Sequence, residues 1–189
     1  LGRPDRAWSV YEEIGEKFGL DDELRGHMAQ WQLDREHLAQ ARKLYEQFDN
    51  RVAGLEALVA MLQAVKRPTE AIEVLRQLIE LNGEDEVGYL ETIAQVYSGM
   101  GKFPEAIGVF VQLIDLNGEN APAYQWSIGG CYESMSEWKK AVGIYRQIDE
   151  FPKTHFAMAS CHRKIREHRE AVALYRQCLV NDASAPRAT

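Results

Sequence analysis

Apolar residues recur along this chain with helical spacing, and one short phrase returns six times. Alanine stands at Ala7, Ala41, Ala71, Ala106, Ala141 and Ala171, at intervals of 34, 30, 35, 35 and 30 residues. Four residues after each comes a large side chain: Tyr11, Tyr45, Leu75, Phe110, Tyr145 or Tyr175. Seven after comes Ile14, Phe48, Leu78, Leu113, Ile148 or Cys178. A second stripe precedes five of these alanines. Twelve residues earlier stand Ala29, Val59, Ala94, Gly129 and Ala159, each following an apolar residue (Met28, Leu58, Ile93, Ile128 or Met158). Nine earlier stand Gln32, Leu62, Tyr97, Tyr132 and His162. Offsets of three, four and seven predict one amphipathic helix on each side of a break.

The breaks carry turn residues. Gly99-Met100-Gly101-Lys102 and Ser134-Met135-Ser136-Glu137 separate two stripes, and Pro68 and Pro104 follow at the first turn of the next helix, where a missing N–H costs nothing. Leu81-Asn82-Gly83-Glu84 recurs as Leu116-Asn117-Gly118-Glu119. Gly83 and Gly118 are expected to close their helices in the left-handed conformation, with acids opening the next helix. Each unit therefore reads as helix, tight turn, helix, glycine stop. Small residues at the recurring alanine and twelve before it allow two antiparallel helices to cross closely, and the large side chains fill the space beside the crossing. The 30-residue intervals predict second helices shortened by about one turn, before Val52 and before Pro152.

A period of 30–35 residues means stacked supersecondary units, none able to bury its apolar face alone. The small–aromatic–small–aromatic phrasing resembles the tetratricopeptide repeat family, most clearly through Ile93-Ala94, Tyr97, Ala106 and Phe110, and then Ile128-Gly129, Tyr132, Ala141 and Tyr145. Gln32, His155 and His162 depart from it, standing where large apolar residues are usual. The resemblance implies an all-α fold, a right-handed α-solenoid of about 5.5 antiparallel helix–turn–helix repeats. The expected organisation is a half repeat at 1–19, full repeats at about 22–51, 52–86, 87–121, 122–151 and 152–183, and a flexible tail at 184–189. An array that opens mid-unit reads as a piece of a longer protein, with apolar surface exposed at its uncapped ends.

Composition narrows the function. Hydrophobic residues make up 46% and charged residues 27% of the 189, which places the chain among folded proteins, and no apolar run reaches the roughly 18 residues of a membrane span. The net charge of −7 is uneven: residues 1–79 carry −3, residues 80–120 carry −7 and residues 121–189 carry +3. An acidic centre argues against nucleic acid laid along the whole surface. The basic end, with Arg163, Lys164, Arg166 and Arg169, reads either as a seat for an anionic segment or as a solvated helix face. Cys131, Cys161 and Cys178 are too few for a disulfide framework and read as structural thiols. No phosphate-binding loop, zinc spacing or nucleophile motif is present, and Cys161-His162 with His168 is a poor metal set, because His162 falls on the buried stripe. No enzyme activity, cofactor or metal is expected.

The resemblance implies a working groove lined by the first helix of each pair, at positions 18, 15, 11, 8 and 7 before the recurring alanine. Many of those positions hold small residues, which leaves room for a bound peptide or helix. Among them Glu56, Glu91, Gln95, Trp126, Glu133, Phe156, Arg163 and Lys164 are the candidate partner-binding residues. Family members that clamp a C-terminal carboxylate use Lys and Asn there; Glu56, Glu91, Ala60 and Gln95 do not repeat that clamp. Trp126 and Phe156 are candidate aromatic anchors, with acids on one side and bases on the other. The leading expectation is a non-enzymatic scaffold binding a protein or peptide segment in the groove. The alternatives are self-association through the uncapped ends, and a helical scaffold of the RNA-processing type, which phrases such as Ala41-Arg42-Lys43-Leu44-Tyr45-Glu46 also resemble.

Overall fold

The protein is described here by a computed structural model covering residues 4–183, so the expected tail at 184–189 lies outside the described residues. Eleven α-helices occur among them, with no strand. The chain divides into two compact units, one ending at Tyr89 and the other starting at Leu90. The first holds α1 (Pro4–Phe18), α2 (Asp22–Leu33), α3 (Leu38–Glu46), α4 (Arg51–Ala64) and α5 (Pro68–Leu81). Helix α6 (Glu86–Gly99) runs through the division. The second unit continues with α7 (Phe103–Leu116), α8 (Ala121–Ser134), α9 (Trp138–Tyr145), α10 (Lys153–Lys164) and α11 (His168–Ala183).

The close crossings are where the small residues predict them. Ala41, Ala71, Ala106 and Ala141 are fully buried and Ala171 nearly so, as are Ala29, Ala94 and Ala159 on the first helices. At Gly129 the crossing leaves no room for a side chain: a Cβ there would lie 2.4 Å from the Tyr145 ring. Ala7 is exposed instead, and α1 leaves Val10, Ile14 and Phe18 facing solvent.

The second helices at the 30-residue intervals are indeed short. Helices α3 and α9 have 9 and 8 residues, against 14 in α5 and α7. In the first unit the lost turn is replaced by side chains. Phe48 lies against two glycines, 3.6 Å from where Gly26 would carry a Cβ and 2.9 Å from that of Gly54. The Asp22 carboxylate accepts the Asp49 and Asn50 N–H groups at 2.7 and 2.8 Å, and Arg25 bridges Asp22 and Asp49. The Asn50 N–H in particular holds the Asp22 carboxyl below its ordinary pKa.

The glycine stop is not how these helices end. Neither Gly83 nor Gly118 has positive φ; the chain leaves the helix at Asn82 (φ −135°, ψ 76°) and Asn117 (φ −136°, ψ 72°), and a single 3-10 turn follows each. Apart from Gly19 (φ 90°), which follows α1, the left-handed residues lie inside the pairs, at Glu36, Lys66, Gly101, Ser136 and Arg166, with φ between 59° and 71°. Each stands five residues before its alanine, and only one is glycine. The hydrogen bonds explain why. In every one of these turns the next N–H reaches back to the carbonyl five residues earlier: His37 to Gln32, Arg67 to Leu62, Lys102 to Tyr97, Glu137 to Tyr132 and Glu167 to His162, all at 2.8–2.9 Å. The left-handed residue itself donates to the carbonyl three before it, as Lys66 does to Gln63. This is the Schellman closure.

The same geometry accounts for Gln32 and His162, two of the three polar residues at apolar places, but not for His155, whose buried Nδ1 has no hydrogen-bond partner among the described residues. His37 Nδ1 lies 2.9 Å from Gln32 Oε1, and His162 Nδ1 lies 2.6 Å from Glu167 Oε2. A side-chain polar pair thus spans the turn where an apolar contact commonly does.

Candidate functional site

Within the first unit, the first-helix face is formed by α2 and α4. Gln30, Leu33 and Asp34 on one side and Ala57, Ala60, Met61 and Ala64 on the other line a hollow of about 430 Å³, with Tyr45 among its walls. The alanines keep it open. Glu56 is already engaged: Tyr89 donates its hydroxyl to Glu56 Oε1 at 2.9 Å, and the Asn82 amide reaches the same hydroxyl at 3.5 Å.

The second unit repeats that bond. Tyr124 donates to Glu91 Oε1 at 2.6 Å. The two pairs share a separation of 33 residues, and each tyrosine stands seven residues after the asparagine of a Leu-Asn-Gly-Glu phrase. Reading groove positions singly missed this tie; the shared 33-residue offset was the available signal. The phenol pKa values rise accordingly, that of Tyr124 through its bond to Glu91 and through burial, and that of Tyr89 chiefly through burial.

Glu133 on α8 accepts a 2.5 Å hydrogen bond from Tyr145, whose hydroxyl is pushed well above its ordinary pKa by burial and then by that carboxylate. Trp126 is half-buried. Its ring lies 4.9 Å from that of Tyr145, and Lys153 Nζ sits 4.0 Å from the indole centroid. Phe156 on α10 is half exposed, with its ring 5.9 Å from that of Tyr175. Gln95, Arg163 and Lys164 are exposed. One turn after Trp126 on α8, Gly130 has no neighbour within 4 Å of its would-be Cβ, so the face is open there.

Neither Cys131 nor Cys161 is prepared as a nucleophile. Cys161 is fully buried, and burial pushes its thiol up to about 11, while Cys131 is raised for the same reason. His162 is committed to Glu167 rather than to Cys161. Among the described residues no helix is long and apolar enough to cross a membrane.

Comparison with known proteins assigns the architecture. Residues 154–186 match the tetratricopeptide repeat family model. No curated protein matches the sequence. Among solved structures, a MamA protein is similar at 21% identity over 96% of both chains, with a TM-score of 0.58. MamA from Desulfovibrio magneticus RS-1 is similar at 14% identity over 87% of this chain and 97% of that one, with a TM-score of 0.57. The nearly identical TPR-like repeats of a Podosopora anserina protein described as a kinesin light chain are similar at 17% identity over all of both chains, with a TM-score of 0.56. At these identities the likeness is one of fold, that of an all-α helical-repeat protein.

Proposed function

We propose that this all-α repeat chain, which carries a tetratricopeptide repeat over residues 154–186, is a non-enzymatic protein-interaction scaffold that binds a peptide or helical segment on the first-helix face of its second unit. Arrays of this architecture commonly present such a face to other proteins. The observation that carries the reading is the open floor at Gly130, one turn after half-buried Trp126, with half-exposed Phe156 on the next first helix one turn after the Lys153 that sits over the Trp126 ring. Space flanked by aromatic side chains suits an apolar anchor residue. Gln95, Arg163 and Lys164 supply polar contacts around it, and Glu91 and Glu133 do so while holding their tyrosines.

Panning a displayed random-peptide library against the chain tests this. Enriched peptides should lose binding to Phe156→Ala and to Gly130→Leu, both with unchanged helicity. Equal binding to parent and variants removes the site from this face.

The stripe Val10, Ile14 and Phe18 on α1 favours a second reading, association of copies through that helix. Sedimentation across a hundredfold concentration range separates the two, since a constant monomer mass excludes it.

A further inference from the structure

A second surface borders this face and shares Lys164 with it, at the edge formed by the turns of the second unit. Ser136, Glu137, Trp138, Lys139 and Lys140, from the α8–α9 turn and the start of α9, line a cleft of about 290 Å³ together with Ile165 of the α10–α11 turn. Lys164 Nζ stands 5.7 Å from the Trp138 ring centroid, so the two turns face one another across the cleft. Exposed cations surround it: Lys139, Lys164 and Arg166. None has an acidic partner among the described residues, whereas Lys140 pairs with Glu137 and the Glu167 carboxylate is taken by His162. Glu133, three residues before Ser136, accepts from Tyr145, and Glu170 stands in the first turn of α11.

We propose that this turn edge binds an acidic segment of a partner protein, with one apolar side chain entering the cleft beside Trp138 and Ile165 and carboxylates meeting Lys139, Lys164 and Arg166. Charge complementarity selects the occupant. Unpaired cations around an apolar cleft match acids flanking an apolar residue. Single-stranded nucleic acid fits less well. It needs an open aromatic face and a continuous basic track. Trp138 is half-buried with Lys164 over its ring, and the chain carries −7 overall, concentrated in residues 80–120.

Fluorescence anisotropy with the full chain tests the proposal, using labelled dodecapeptides of Glu and Ser with one central Leu, the same peptide with that Leu replaced by Ser, the Lys-for-Glu counterpart, and oligouridine. The Leu-containing acidic peptide should bind at least about tenfold more tightly than the other two peptides, and less tightly as salt is raised. The double variant Lys139→Glu, Arg166→Gly should lose about tenfold; glycine at 166 keeps the left-handed turn while removing the charge. Gly130→Leu, in the face proposed above, should leave this affinity unchanged, so the two readings fail separately. Indifference to the double variant overturns the proposal. So does oligouridine binding more tightly than the peptide with the same loss in the variant. Concentration-dependent dimerisation abolished by the variant also overturns it, by making a second copy the occupant.

Discussion

Two adjacent glycines in α8 are expected to respond to alanine in opposite directions. Both Gly129 and Gly130 lie in the interior of the helix, where replacing glycine by alanine stabilises by about 1 kcal/mol. At Gly130 nothing lies within 4 Å of the added methyl group, so that gain should appear nearly whole. At Gly129 the methyl group would sit 2.4 Å from Tyr145 Cε1 and 2.6 Å from Cζ. The ring must retreat by about 1 Å to reach ordinary contact, and it has little freedom: Tyr145 is 2% exposed, packed at a tilt against Trp126 and tied to Glu133 at 2.5 Å. Overpacking of this kind costs roughly 1–3 kcal/mol, and weakening the bond to a charged carboxylate adds roughly 1.5–3 kcal/mol if it is lost. Gly129→Ala should therefore be destabilised by about 1–3 kcal/mol net, and Gly130→Ala stabilised by about 0.5–1 kcal/mol. Urea denaturation followed by circular dichroism reads both shifts against the parent, and midpoints are compared because repeat chains need not unfold in one step. Two variants moving the same way, or differing by less than about 0.5 kcal/mol, would refute the packing assigned to Tyr145.

Other outcomes follow from the turns, the phenols and the thiols. Lys66→Gly and Ser136→Gly relieve left-handed strain and should raise the melting temperature modestly, by the equivalent of about 0.5–1 kcal/mol each, whereas Ser136→Val should lower it. Tyr145, Tyr124 and Tyr89 all have folded pKa values above their unfolded one. Their contribution is therefore full below about pH 10 and is lost progressively as pH rises towards the folded values. Tyr145→Phe should flatten the fall in stability measured between about pH 9 and 11, and an unchanged slope would count against the Glu133 bond. A colorimetric disulfide reagent should modify Cys131, Cys161 and Cys178 only as the helices open, at a rate that denaturant accelerates; immediate reaction at neutral pH would contradict their burial.

The pairing of helices was legible because it rests on local spacing. A small residue at Ala41 or Ala141, its counterpart twelve before and large neighbours at fixed offsets can all be read within one window. The turns were placed correctly but explained wrongly. Gly83 and Gly118 attracted the glycine argument, yet the left-handed positions are filled by Glu36, Lys66, Ser136 and Arg166, which carry no such signature. Backbone hydrogen bonds across the turn hold them there, and those bonds leave no trace in residue type. The candidate site divides in the same way. Exposure of Phe156, Gln95, Arg163 and Lys164 is a property of position on the helix. The partners of Glu56 and Glu91 lie 33 residues away, and Trp126 is half covered by Tyr145 and Lys153, so a column-by-column reading treats them as bare.

The Schellman turns have a bearing on how this chain tolerates changes in length. Their bonds count back from one left-handed residue, so the phase of each second helix against its first helix is set where the two join. The far end of the second helix has no such clamp. A turn and a half can disappear there, as between α5 and α3, without rotating any side chain already committed to the crossing. Insertions and deletions should accordingly be absorbed after Leu81 or Leu116, while a single residue added between Leu62 and Ala71 would turn an entire helix away from its partner.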